Sequence, residues 1–137
     1  MASTEFKRIK TITVPLDTHA GALCEVYVAF RNADINVNAS WGYEMGPGNA
    51  EAILYVDDVK KALEVLKGIG KKSSLSEAVW ACGDDQIGAY VEPLEVIAEA
   101  GINLHATDAM AVGNKFVTVF FCSEADIDEL CNIVKAK

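Results

Sequence analysis

The sequence is poor in the residues that mark several functional classes. It holds two histidines, His19 and His105, and four cysteines, Cys24, Cys82, Cys122 and Cys131. The cysteines show no CxxC spacing and no histidine in metal-ligand register. Neither histidine has a carboxylate or cysteine partner at a telling spacing. Cys24 and Cys131 fall on apolar helix faces and Cys122 ends an apolar strand, so they read as small buried hydrophobes in a reducing compartment. A His19–Cys24 nucleophile pair is disfavoured, because that thiol would point into the core and away from the loop holding the imidazole. No phosphate-cradling glycine pattern and no paired-carboxylate motif is present. No metal, no cofactor and no catalytic residue is therefore expected, and the chain does not read as an enzyme.

Long apolar runs are missing too, which excludes a spanning helix from the expectation. Lys7, Arg8 and Lys10 are not followed by an apolar h-region, so no signal peptide is expected and the cytoplasm is the expected location. Basic charge is scarce: 12 Lys and Arg against 20 Asp and Glu, a net charge of −8. The basic knots Lys7-Arg8-Ile9-Lys10, Lys60-Lys61 and Lys71-Lys72 read as solvated strand ends or helix faces. A phosphate backbone needs clustered cations, so nucleic acid is not an expected partner.

What the chain does have is a stretch that occurs twice. Asp17-Thr18-His19-Ala20-Gly21-Ala22-Leu23-Cys24-Glu25-Val26 runs on to Ala33-Asp34-Ile35-Asn36, and Asp84-Asp85-Gln86-Ile87-Gly88-Ala89-Tyr90-Val91-Glu92 runs on to Ala100-Gly101-Ile102-Asn103. At an offset of 67, nine of the 30 positions from 17 to 46 are identical without a gap, Gly21/Gly88, Glu25/Glu92 and Asn36/Asn103 among them. Two such copies use nearly all of the 137 residues. Composition, 51% hydrophobic and 23% charged, is that of a globular chain.

Hydrophobic periodicity gives each copy the same order. Residues 1–7 read as a frayed lead and Ile9–Val14 as a β-branched strand stopping at Pro15. Leu23, Val26, Tyr27 and Phe30 give a helical stripe, with Asp17 or Thr18 placed to cap it. Asn36–Tyr43 alternates, with Val37, Ala39, Trp41 and Tyr43 on one face. Gly46-Pro47-Gly48-Asn49 turns the chain into strand Ala50–Val56. A helix carrying Val59, Ala62, Leu63 and Leu66 follows, ended by Gly68 and Gly70. Polar Lys71–Ser76 could be a short edge strand or a linker. The second copy runs through a strand at Glu77–Cys82, a helix at Ala89–Ala100 and strands at Ile102–Met110 and Phe116–Cys122. A final helix carries Ile127, Leu130, Cys131 and Val134. Pro93 places the start of the third helix near Tyr90, since proline is tolerated only in a first turn.

This order predicts an α+β fold of two ferredoxin-like βαββαβ units, at 8–74 and 75–137, each an antiparallel sheet with helices on one face. After the last helix no residues remain for a strand, so the second unit is expected to lack its last one.

The doubled stretch resembles the signature of ACT domains: a small polar loop, a Gly-Ala-Leu helix start, and an Asp-Ile-Asn entry to the second strand. The second copy departs from it at Tyr90 and Pro93. The resemblance covers residues 9–135 and implies a stand-alone tandem ACT protein. It implies amino-acid binding at the first strand–helix loop of each unit, near a surface where units pair side by side. Carried onto this chain, the candidate ligand-binding residues are Asp17, Thr18, His19, Ala20, Gly21, Ala22, Leu23 and Asn36, and Asp84, Asp85, Gln86, Ile87, Gly88 and Asn103. A helix N-terminus offers free N–H groups to a carboxylate, glycine permits a close approach, and an aspartate can take an ammonium. The same residues also serve simply as caps and turns. The expected function is a regulatory protein that binds a small molecule, an amino acid by the resemblance, and changes its association with a regulated enzyme or with itself as a homodimer. The rival expectation is an oligomerisation module with open sheet edges and no small ligand.

Overall fold

The computed structural model describes residues 3–137. The elements run β1 (Glu5–Leu16), α1 (Ala22–Asn32), β2 (Val37–Glu44), β3 (Ala50–Val56), α2 (Val59–Gly68), β4 (Ser74–Asp84), α3 (Val91–Glu99), β5 (Leu104–Val112), β6 (Lys115–Cys122) and α4 (Ile127–Val134). They form two compact units. One is Lys10–Ser76; the other joins residues 3–9 to Glu77–Lys137.

In the unit of residues 10–76 the strands are ordered β2-β3-β1, with antiparallel pairs such as Ile12 opposite Leu54 and Val14 opposite Ala52. Those four side chains lie on one face of the sheet and pack with Val26 and Phe30 of α1 and Ala62 and Leu66 of α2. Both helices therefore cover the same face. Phe30 retains 1% of its exposure and Leu66 none. Burying a side chain of this size stabilises by about 1.5–3 kcal/mol. The buried stripe of α1 is narrower than its periodicity suggests: Ala22, Val26 and Phe30 face inward. Leu23 and Tyr27 flank it half-exposed, and Cys24 is exposed rather than buried.

The other unit repeats the plan with β4-β6-β5 and with Val79, Ala81, Phe120, Ile97, Leu130, Cys131 and Val134 in its core. All four apolar positions expected on α4 are buried. Pro93 sits in the first turn of α3, as its missing N–H requires.

Among the described residues no strand follows α4. The place beside β4 is taken by the opening residues of β1. Phe6, 6% exposed, enters the core of this unit. Arg8 bonds to Glu77 on β4 at 2.6 and 2.9 Å and to Asp128 on α4 at 2.8 Å. The Lys137 N–H donates to Phe6 O at 3.0 Å, and the Arg8 N–H donates to Lys137 O at 2.9 Å. Thr4 lies so close to Gly83 that a Cβ there would fall 2.5 Å from its hydroxyl. Residues 5–7 are thus structural rather than a frayed lead. Residues 1 and 2 of that lead lie outside the described residues. In the same manner the first residues of β4, Ser74 to Ser76, belong with the unit of residues 10–76.

The second strand of each unit carries an irregularity at one equivalent place. Register shifts between Val37 and Ala39 on β2 and between Leu104 and Ala106 on β5, which puts Asn38 and His105 at the bulges. A bulge adds a residue and turns the alternation over. Val37 therefore packs into the helix-side core, whereas Trp41 pairs with Ile53 on the other face. Ser40 and Gly42 consequently face α1, where Tyr27 donates to the Ser40 hydroxyl and the Leu23 side chain approaches Gly42.

Candidate functional site

Strand β1 ends at Leu16, and five residues carry the chain into α1. Gly21 takes the N-cap position with φ 91°. Glycine adopts that left-handed conformation without the penalty of a Cβ. No side chain caps the helix. The capping expected of Asp17 or Thr18 does not occur, and these residues remain on the loop. The loop instead closes on itself, Ala22 N–H to His19 O at 3.3 Å.

A groove of about 370 Å³ opens here, within the range of small-molecule sites. It is lined by Leu16, Asp17, Thr18, His19, Gly21, Ala22 and Leu23, with Glu44 and Ala50 from the ends of β2 and β3. Six of the eight residues expected to bind in the first copy are thereby brought together. Ala20 does not line the groove, though its carbonyl oxygen lies 2.9 Å from His19 Nδ1.

Ionisable side chains gather at the loop. His19 Nε2 lies 3.8 Å from Asp17 Oδ2 and 3.9 Å from Glu25 Oε1. Lys71 Nζ lies 3.4 Å from Asp17 Oδ2 and 3.8 Å from Glu25 Oε2. The histidine has carboxylate neighbours after all, and local sequence spacing does not reveal this triangle. Lys71 arrives from 54 residues away, after Gly70 at φ 77° turns the chain out of α2.

Asn36 is elsewhere. Its N–H donates to Asp57 Oδ1 and its carbonyl oxygen accepts from the Asp57 N–H, both at 3.1 Å, while its side chain donates to Asn38 Oδ1. It stands one residue before β2, whereas Glu44 at the groove is the last residue of that strand. At about 3.3 Å per residue the separation is roughly 25 Å. Within its unit Asn36 ties β2 to the start of α2. Asn103 holds the matching place before β5.

The second copy of the loop is built differently. Gly88 repeats the left-handed turn at φ 82°. Asp84 receives the Lys115 ammonium at 2.8 Å, which raises the lysine pKa. The Asp85 N–H donates to Asn114 O at 2.9 Å, fastening the loop to the two-residue turn between β5 and β6. Gln86 O accepts from the Ala89 N–H, and Ile87 is fully exposed. Tyr90 occupies the position of Leu23. Its ring stacks on Phe120 with centroids 6.1 Å apart and leans on Phe116 at 5.9 Å. Its hydroxyl meets Thr107 Oγ1 at 2.6 Å, and Thr107 donates to Val119 O. Where the first loop leaves a groove, this unit sets an aromatic side chain between helix and sheet.

Burial pushes the Cys122 thiol up to about 11 and raises that of Cys131, so neither is a thiolate near neutrality. Among the described residues no group of three or more His, Cys, Asp or Glu could hold a metal.

No family model and no curated sequence matches the chain. Solved structures do. A protein from Bacteroides thetaiotaomicron, BT0572, is 21% identical with a TM-score of 0.85, the match covering 95% of this chain and 88% of that one. The ligand-free regulatory subunit of aspartate kinase from Thermus thermophilus is 14% identical with a TM-score of 0.69, over 97% and 95%. The putative C-terminal regulatory domain of aspartate kinase from Porphyromonas gingivalis is 8% identical with a TM-score of 0.57, over 96% and 94%. The chain therefore has the double ACT-type fold, two βαββαβ units with antiparallel strands and helices on one face.

Proposed function

We propose that the protein is a regulatory, non-catalytic binder of a small molecule, an amino acid, held at the β1–α1 groove of residues 16–23. The observation that carries this reading is the difference between the two loops. One leaves a groove of about 370 Å³ beside an uncapped helix start and an aspartate, and the other is fastened by Lys115, Asn114 and Tyr90. A ligand carboxylate would meet the first-turn N–H groups of α1, and its ammonium would meet Asp17. Gly21 leaves room: a Cβ there would have nothing within 4 Å. The regulatory fold of the aspartate kinase subunits supports the same reading by analogy. Binding acts through association, with a homodimer or a regulated enzyme as the partner, in the cytoplasm. Nucleic acid is disfavoured by the charge of −8, and among the described residues no helix is long and apolar enough to cross a membrane.

The test is thermal unfolding with each common L-amino acid at millimolar concentration. Ligand at 100 times its Kd adds about 2.7 kcal/mol, a melting rise of several degrees for a chain of this size. A folded sample whose melting no amino acid moves contradicts the reading.

A second reading, an oligomerisation module without a small ligand, has its own observation. Strand β5 is exposed from His105 to Val112, and neither β5 nor β2 carries the Lys, Arg or Pro that usually guards an edge. A chain that binds no amino acid but is dimeric, and becomes monomeric when lysines are placed on β5, would favour it.

A further inference from the structure

We propose that Lys71 is an internal occupant of the ammonium position at the groove, which a ligand's ammonium must displace, and that its displacement frees the segment joining α2 to β4. This rests on the β1–α1 groove being the working site.

Lys71 is unusual among the basic residues of this chain. Its side chain retains 12% exposure, against 54% for Lys115 in its own ion pair. Lysine stems bury readily, but the ammonium is kept near water or opposite charge. Here it lies between two carboxylates, 3.4 Å from Asp17 and 3.8 Å from Glu25. The backbone fixes the approach: the Lys71 N–H donates to Leu66 O at 2.9 Å, directly after Gly70 in the left-handed conformation.

Asp17 also lines the groove, so it faces Lys71 and any ligand at once. His19 shares the same carboxylate oxygen, Oδ2, as Lys71. An arriving ammonium brings a further positive charge to a carboxylate that already holds one. Two like charges brought to one carboxylate repel, so the two ammonium groups compete for Asp17. Lys71 is the group with somewhere to go, because two residues, Lys72 and Ser73, separate it from β4. The groove thereby selects molecules whose cationic group outcompetes a lysine amine. Occupancy is registered in residues 69–73, which lead into a strand that runs on into the other unit.

Trypsin reads this segment directly, since it cuts after Lys71 and Lys72. Replacing both carboxylates, Asp17→Asn with Glu25→Gln, is expected to speed cleavage there several-fold without any ligand, with cleavage after Lys60 as the internal control. In the wild-type chain, any L-amino acid that raises the melting temperature is expected to speed the same cleavage. Lys71→Met is expected to bind that amino acid more tightly. Cleavage unchanged in the double variant overturns the internal pairing. An amino acid that raises melting yet slows or leaves unchanged the cleavage overturns the displacement while sparing the site. If no amino acid moves the melting temperature, the displacement falls together with the proposed function, and the double variant alone decides whether Lys71 is held.

Discussion

The two loops begin from one pattern and end as different objects. Both place a glycine in the left-handed region before a helix, Gly21 at φ 91° and Gly88 at φ 82°. Both units also link helix to second strand through hydroxyls at equivalent strand positions, Ser40 and Thr107. The tyrosine that reaches them differs by one helical turn. In the first copy it is Tyr27, which leaves the smaller Leu23 beside the loop. In the second it is Tyr90, which fills that place and stacks on Phe120. One aromatic moved by four residues puts a ring on Phe120 in the second copy where the first has Leu23 at the edge of its groove. Repetition of a fold therefore does not imply repetition of a site.

The changes expected to disturb this comparison most act on the cores that carry the loops. Phe30→Ala and Phe120→Ala each remove a ring with at most 1% exposure and are expected to cost about 3–5 kcal/mol by denaturant unfolding. A cost under about 1 kcal/mol for either would contradict the packing described. Next come the glycines. Gly21→Ala and Gly88→Ala meet no atom within 4 Å, so their cost is backbone strain alone, about 1–2 kcal/mol and similar in the two copies. Unequal costs would show that one loop relaxes and the other cannot. Tyr90→Phe keeps the stack and loses the bond to Thr107, a loss of about 0.5–1.5 kcal/mol. Removal of the ring in Tyr90→Ala should open a cavity in the second unit.

The smallest effect is a pH dependence. Burial raises the Cys122 thiol to about 11 in the folded chain, above its ordinary value near 8.5. The folded state holds that proton more tightly than the unfolded one. The contribution is thus fully present below about pH 8.5 and is lost as pH rises toward about 11. Cys122→Ala should flatten that limb of the stability curve. An unchanged limb would mean that the thiol ionises alike in both states.

Local chemistry made much of the architecture readable in advance. The four helices, the turns and the first-turn place of Pro93 all depend on near neighbours in sequence. The loop at Asp17–Leu23 was readable for the same reason. What escaped depends on distant partners. Residues 5–7 look like part of a frayed lead until Phe6 enters the core built by β4 and α4 and the neighbouring Arg8 bonds to Asp128. Lys71 looks like one more surface lysine until Gly70 turns it onto Asp17. The exposure of Cys24 follows from a stripe only as wide as Ala22, Val26 and Phe30. Asn36 shares the repeat with the loop, yet a whole strand separates it from the groove within its own unit.

The central claim is that the first copy binds and the second does not. The direct measurement is calorimetric titration of the stabilising amino acid into the wild-type chain and into Gly21→Val and Gly88→Val. The account predicts one molecule bound per chain, lost in Gly21→Val and kept in Gly88→Val. Two molecules per chain, or binding lost through Gly88→Val and kept through Gly21→Val, would contradict it.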